Sequence, residues 1–229
     1  MNAVPWIVYP YLAAVVFVAG HVWRWRFDRL GWTSRSSQLL EQRWLRIGSP
    51  LFHLGLLGVI GGHVIGILVP AGATRAAGVS DHLYHVFSLA AGGTFGALAL
   101  AGILILTLRR LLVPAVRCAG RPVDLAVDLL LLAVIGLGMG ATIGRQLGVG
   151  AYDYRETVSI WFRGLWTLHP DRSLMTGAPW IYQAHVLASF ALFALWPFSR
   201  LVHVWTIPVG YIARRAHILY RGPVPTAPR

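Results

Sequence analysis

Two stretches decide how this chain folds: PLFHLGLLGVIGGHVIGILVP (50–70) and IYQAHVLASFALFALWPFSRLVHVW (181–205). Each is apolar over about 20 residues, the length a helix needs to cross the ~30 Å hydrocarbon core of a bilayer. Each also carries two histidines: His53 and His63 in the first, His185 and His203 in the second. An imidazole left unpaired in hydrocarbon is costly, so a histidine inside a span points to a site.

The rest of the sequence is of the same kind. Of its 229 residues, 56% are hydrophobic and only 12% charged, and the mean hydropathy is +0.62. A soluble domain carries about 25% charged residues. The expected fold is therefore all-α, an integral membrane bundle forming one domain over 1–229. Five transmembrane helices are expected at about 4–23, 49–69, 84–108, 124–144 and 180–204, followed by a tail at 205–229. The tail's end, GPVPTAPR, reads as disordered or partner-bound. The start, MNAVPWIVYPYLAA, has neither a basic leader nor a small-residue cleavage site, so the first apolar segment is expected to stay as a helix. Cys118 is the single cysteine, which excludes an intrachain disulfide and any CxxCH attachment of haem.

The net charge is +12 and there is no lysine. The arginines are sorted by loop: the segments 24–47 and 109–122 and the C-terminal part from Arg200 onward hold 15 of the 20. Such an excess marks the cytoplasmic side of a membrane protein, so the charge is read as topology and not as a nucleic-acid surface. The N-terminus is then expected outside and the C-terminus in the cytoplasm. In the long loop 145–179, Val158, Trp161, Phe162, Leu165 and Trp166 share one helical face. That fits a short helix, either lying in the membrane interface or packed as a loop helix.

The second and fifth spans run antiparallel, so the histidines are expected to pair as His53 with His203 and His63 with His185. At 1.5 Å per residue the two positions lie roughly 15 Å apart on one helix and roughly 27 Å apart on the other. Tilt and a kink at Pro197 are expected to absorb the difference. The iron centres would then lie about 20 Å apart, on the mean of those two rises. Eighteen residues return His203 to the face of His185, while ten leave His53 and His63 about 80° apart. Two such pairs suggest two haems with bis-histidine ligation, six-coordinate centres that carry electrons and bind no oxygen. Gly55, Gly58, Gly61, Gly62 and Gly66, with Gly92, Gly93 and Gly96 in the third span, suit either a flat macrocycle or close helix contacts.

Several blocks together resemble the gamma subunit of respiratory membrane-bound nitrate reductase: WPFSRLVHVWTIP (196–208), FHLGLLGVIGGHVIGILVP (52–70), VYPYLAAVVFVAGHVWRWR (8–26), SSQLLE (36–41) and QAHVL (183–187). The resemblance covers nearly the whole chain. It implies two haems b, an inner one on His53 and His203 and an outer one on His63 and His185. It further implies oxidation of a quinol from the membrane quinone pool, usually menaquinol, near the outer haem. Electrons would pass to the iron–sulfur clusters of a cytoplasmic beta subunit and on to a molybdenum-containing alpha subunit that reduces nitrate to nitrite. The implied location is the bacterial or archaeal cytoplasmic membrane.

One departure concerns the quinol. Members of that family can carry a lysine near the start of the third helix, where this chain reads SDHLYHVF (80–87). A quinol sheds two protons with its two electrons, so a titratable acceptor is needed. His82 and His85 are the candidates and Tyr84 is the other polar group; an interfacial aromatic belt is the plainer alternative. For the inner haem's propionates, Arg200 and Ser199 are the expected partners, since a guanidinium meets a carboxylate bidentately. Arg109 and Arg110 are read as topology only, and Arg145 as a weaker candidate at the outer haem. Asp124 and Asp128 are expected to cap the fourth helix and to be solvated at the interface. His21, His169 and His217 are read as structural or solvated. Two other readings are a similar dihaem subunit of another reductase, hydrogenase or formate dehydrogenase complex, and a histidine-based metal or proton transporter. The transporter predicts carboxylates along a path, and the second and fifth spans contain none.

Overall fold

The computed structural model describes residues 3–28, 31–32, 37–146 and 152–206. Among them every regular element is helical. In chain order these are α1 (Tyr9–Phe27), α2 (Arg43–His63), α3 (Ala71–Ala76), α4 (Asp81–Leu112), α5 (Pro114–Ala119), α6 (Pro122–Gln146), α7 (Val158–Trp166), α8 (Arg172–Thr176) and α9 (Trp180–Leu195). Single π turns at Val4–Val8 and Val64–Leu68 extend α1 and α2, and 3-10 turns at Trp196–Phe198 and Arg200–Thr206 follow α9.

Five helical runs are long and apolar enough to cross a membrane: Val4–Phe27, Arg43–Leu68, Asp81–Leu112, Pro122–Gly144 and Trp180–Phe198. Much of their surface is outward-facing apolar side chain, Val15, Val18, Leu54, Leu57 and Phe87 among them, as suits lipid contact. The middle helices overrun their expected limits, α2 beginning at Arg43 and α4 running from Asp81 to Leu112. These added turns carry charged residues, so hydropathy misses them, while side chains hold their first turns: Glu41 Oε1, just before α2, accepts the Trp44 N–H at 3.0 Å, and the N-cap Ser80 Oγ accepts that of Leu83 at 3.2 Å.

The fifth span is not a continuous helix to 204. Its α-helical part stops at Leu195, because Pro197 has no N–H to give and its ring crowds the carbonyl four residues back. After one 3-10 turn the chain goes extended at Ser199 (φ −117°, ψ −177°) and coils again from Arg200. His203 therefore sits on a redirected segment and not on the straight continuation of α9.

The spans form a row: α2 packs on α4, α4 on α6, α6 on α9 and α9 on α1. The α2–α4 contact is the closest. A Cβ at Gly55 would fall on the Ala99 backbone nitrogen, and one at Gly102 on that of Phe52, so both positions require glycine. Gly96 likewise meets Met139. By contrast, Cβ atoms at Gly61, Gly62 and Gly93 would meet nothing within 4 Å. One apolar cluster centres on Phe52, Ala99, Ile103, Leu131 and Ile135; a second, on Trp6, Trp161, Met175, Tyr182 and Phe190, lies toward the other end.

α7 belongs to that second cluster. Trp161 is fully buried and donates its indole N–H to Trp6 O at 3.0 Å. Ser159 Oγ donates to Gly66 O at 3.0 Å and Arg163 to Ile67 O at 2.7 Å, satisfying carbonyls of the π turn after α2. The helix is thus a packed cover for that turn, although Trp166, expected on the same apolar face, is strongly exposed at its end.

At the arginine-rich end of the bundle, Asp124 and Asp128 are buried, not solvated as the sequence suggested. Asp124 accepts the Arg121 N–H at 2.9 Å, the local cap that was expected. Both aspartates also enter an ion-pair cluster: Arg110 pairs with Asp128 and lies 3.7 Å from Asp124, and Arg200 lies on Asp124. Arg109 is more than topology too: buried, it holds Glu41 Oε2 at 2.6 Å and Ser37 Oγ at 2.9 Å, tying the loop before α2 to the end of α4. The expected tail from Ile207 onward, with His217, lies outside the described residues, as does the side chain of Arg145.

Candidate functional site

The four histidines come together as two pairs, matched as the antiparallel argument requires. The ring centroids of His53 and His203 are 6.1 Å apart, and those of His63 and His185 are 6.0 Å apart. Two imidazoles bound at ~2.0–2.1 Å on opposite sides of one metal have centroids roughly 6 Å apart. In each pair one ring comes from α2; its partner comes from α9 or the turn after it, although α2 and α9 do not pack along one another.

Hydrogen bonding fixes which nitrogen is available. His53 Nδ1 lies 2.8 Å from Ser49 O, and His63 Nδ1 lies 2.8 Å from Val59 O, each one turn back on α2. His203 Nδ1 lies 2.6 Å from Arg200 O, and His185 Nδ1 lies 2.9 Å from Val134 O across on α6. A carbonyl oxygen only accepts, so all four Nδ1 atoms carry the proton and the lone pair is on Nε2. This arrangement, an imidazole oriented through its far N–H, is what metal-ligating histidines use. Gly138 makes the α6 contact possible: a Cβ there would stand 3.1 Å from His185 Cε1. Nothing in the sequence pattern singled out Gly138, Val134 or Ser49.

Among the described residues no group of three or more histidine, cysteine or carboxylate side chains gathers at either pair. A metal held by protein alone takes about four ligands. Two opposed imidazoles without a third ligand suit a metal whose remaining positions are filled by a bound macrocycle, as in haem. The residues present therefore fit two bis-histidine haems.

Just beyond the His63–His185 pair lies a cavity of about 250 Å³ whose lining includes Tyr84, His85, Tyr154 and Arg155 with the charged Arg75, Asp81 and Asp153. Of the three candidates for quinol chemistry, Tyr84 and His85 line it; His82 is exposed and does not. The cavity adjoins the π turn after α2 at Gly66, three residues after His63, where a Cβ would come within 2.9 Å of the Tyr154 hydroxyl and 3.0 Å of that of Tyr84. The two hydroxyls hydrogen-bond each other at 3.0 Å. Burial, then the Tyr84 hydroxyl, pushes the Tyr154 phenol well above its usual pKa, so it stays protonated.

Arg155 was missed because it lies in a loop without a motif. It is 6% exposed, its guanidinium stacks 3.9 Å over the Tyr84 ring, and it donates to Thr74 Oγ1 at 3.0 Å and Val69 O at 3.3 Å. Among the described residues no carboxylate pairs with it; Arg75 instead takes the nearby acids, Asp81 at 3.0 Å and Glu156 at 3.3 Å. At the opposite end, Arg200 and Ser199 have partners within the protein. Arg200 grips Asp124 with Nε at 2.8 Å and Nη2 at 2.7 Å. Ser199, fully buried, donates to Trp196 O and accepts the Leu201 N–H. His21 bridges Phe17 O and the Trp205 indole, and His169 meets Thr167 O, both structural roles.

Comparison with known proteins places this geometry in a family. The family model described as nitrate reductase gamma subunit matches residues 2–222. The nitrate reductase gamma chain of Bacillus subtilis is 42% identical over 216 residues, covering 94% of this chain and 96% of that protein. The respiratory nitrate reductase 1 gamma chain of Escherichia coli is 32% identical, covering 93% of this chain and 94% of that one. The nitrate reductase-like protein NarX of Mycobacterium tuberculosis is 48% identical over 222 residues, and this chain spans about a third of its length. With its five apolar helices the chain is a multi-pass protein of the cytoplasmic membrane, and it belongs to the nitrate reductase gamma subunit family.

Proposed function

We propose that this chain is the membrane subunit of a nitrate reductase complex, a dihaem cytochrome b that takes electrons from quinol and delivers them to cytoplasmic partner subunits. The observation that carries this reading is the pair of facing imidazole sets. All four Nδ1 atoms are spent on carbonyls, both centroid separations are near 6 Å, and no third protein ligand stands at either set among the described residues. The same observation speaks against a histidine-based transporter, which would need a fuller ligand set for a bare ion. When bound, the two haems supply a pair of one-electron carriers along the bundle.

The protein's own residues supply the rest. His63 and His185 hold one haem beside the cavity, and His53 and His203 hold the other at the arginine-rich end. The positive-inside bias assigns that end to the cytoplasm, with the N-terminus outside. The partners there would be an iron–sulfur beta subunit and a molybdenum alpha subunit that turns nitrate into nitrite. The cavity at the opposite end receives the quinol head group, taken from the lipid phase and expected to be menaquinol. There the guanidinium of Arg155, with no carboxylate paired to it among the described residues, favours a quinol oxygen that is losing its proton. His85 is the proton acceptor; Tyr84 and the protonated Tyr154 hydrogen-bond and orient. His82 is set aside because it lies off the cavity.

The test is the absorption spectrum of the purified protein, expected to show b-type haem reducible by a menaquinol analogue. Single alanine substitutions at His53 and His203 should remove one redox component, and at His63 and His185 the other. His85→Ala should slow quinol-driven reduction while reduction by dithionite stays complete. A colourless protein, or components lost in any other pairing, refutes the assignment.

A further inference from the structure

His203 is the only one of the four histidines outside an α-helix, and its segment is held by two charged side chains from other helices. After Leu195 the backbone ladder breaks at Pro197, leaving carbonyls that find no water at membrane depth and are costly to leave unpaired. Arg24, buried near the end of α1, closes this gap: its Nη1 donates to Pro197 O at 2.8 Å and to Ser199 O at 2.9 Å. Its Nη2 donates to Gly31 O at 2.6 Å. From the other side Asp124 on α6, itself 2% exposed, accepts two hydrogen bonds from Arg200, at 2.8 and 2.7 Å. The Arg200 carbonyl in turn accepts the His203 Nδ1–H at 2.6 Å. One residue thus links the aspartate to the ligand, side chain on one and main chain on the other.

We propose that Arg24 and Asp124 are positioning residues for His203: together they hold the broken end of the fifth span in the one backbone path that brings the His203 ring to 6.1 Å from that of His53, where the two would hold the metal. This inference rests on the haem reading above. On it, the pairing of Arg200 with Asp124 replaces the direct propionate contact that the sequence suggested for Arg200. A bidentate guanidinium–carboxylate pair is geometrically specific as well as strong, and its direction sets that of the Arg200 backbone. The chain needs such a device here and not at His185, which lies inside α9 with its ladder intact.

The experiment uses the full chain, loaded with haem during growth in membranes, and reads a redox titration together with the low-temperature spectrum of both haem components. Asp124→Asn and Arg24→Gln are expected to shift the midpoint potential and broaden the spectrum of the His53–His203 component, leaving the His63–His185 component unmoved. Asp124→Glu should return part of the wild-type signature. Arg109→Gln is the control: it breaks an equally buried ion pair at the same end that touches neither Arg200 nor residues 196–203. It should lower stability without moving either component. The inference is overturned if Asp124→Asn leaves both components unchanged, as Arg109→Gln does, or if it disturbs both alike. Should Asp124→Asn fail to accumulate, Asp124→Glu and Arg24→Lys, which keep the charge and alter the reach, decide between the same outcomes. A wild-type chain without haem ends the cofactor reading itself; two normal components in the Asp124 and Arg24 variants end only this inference.

Discussion

The two histidine pairs reach nearly the same separation, 6.1 and 6.0 Å, by different means. At the cavity end both histidines ride on helix: His63 closes α2 and His185 lies within α9, its ring seated against α6 through a glycine gap. At the arginine-rich end His53 is helical, but His203 follows a proline break and depends on side chains from α1 and α6 for its path. One end spends backbone regularity on precision, and the other spends buried charge. A ligand on a regular helix inherits the rigidity of the ladder, whereas a ligand on a broken one must be fixed atom by atom. The two ends should therefore fail under different mutations.

The largest effect should strike both ends together. α2 contributes one histidine to each pair and is set against α4 by Gly55 and Gly102. Gly55→Val places a branched side chain on the Ala99 backbone and should cost about 1–3 kcal/mol or more in overpacking. The expected result is joint loss of both haem components, with less protein surviving a detergent thermal ramp. If one component survived intact, α2 would not be the common support.

Next comes a change that separates the ends. Gly138→Val puts methyl groups where the His185 ring now reaches the Val134 carbonyl. The His63–His185 component should be lost or strongly displaced while the His53–His203 component titrates as before. Equal damage at both ends would show that α6 supports the bundle generally, and the contrast drawn here would fall.

The sequence carried the five spans and the four histidines because both leave periodic or compositional traces: long apolar runs, and imidazoles where hydrocarbon forbids idle ones. It carried the pairing as well, since antiparallel helices leave one matching. It did not carry the polar ends of α2 and α4, where Arg43 and Asp81 continue a ladder that hydropathy cannot register. Nor did it show that Asp124 and Asp128 are buried: two acids at the start of a helix look like a solvated cap until Arg110 and Arg200 are seen arriving from other segments. Tyr154 and Arg155 were invisible for a related reason, because they sit in a loop whose only readable signal was the apolar face of α7. Each missed residue acts through a partner distant in the chain, and such pairings have no local spacing to betray them.

A milder change tests how the cover over the π turn serves the cavity end. Ser159→Ala removes the hydrogen bond to Gly66 O and leaves a buried carbonyl short of a donor, at about 1–2 kcal/mol. Quinol-driven reduction should slow, because Gly66 abuts the Tyr84 and Tyr154 hydroxyls, while the potential of the His53–His203 component stays put. A shift of that distant potential would contradict the independence of the two ends.

The smallest effect is one of pH. The Tyr154 phenol keeps its proton in the folded protein beyond the pH at which an ordinary tyrosine, with a pKa of about 10, releases it. The unfolded chain therefore binds fewer protons than the native one once the pH exceeds that ordinary value. The contribution of Tyr154 to stability is complete below about pH 10 and declines as the pH rises further. Tyr154→Phe has no proton to lose, so its thermal midpoint should fall less steeply than wild type on the alkaline side, from a slightly lower start because the bond to Tyr84 is gone. Arg109→Gln, at the other end, should keep the wild-type alkaline slope. If Tyr154→Phe kept it too, the alkaline sensitivity would belong to some other group, and the buried Tyr154 phenol would lose its thermodynamic signature.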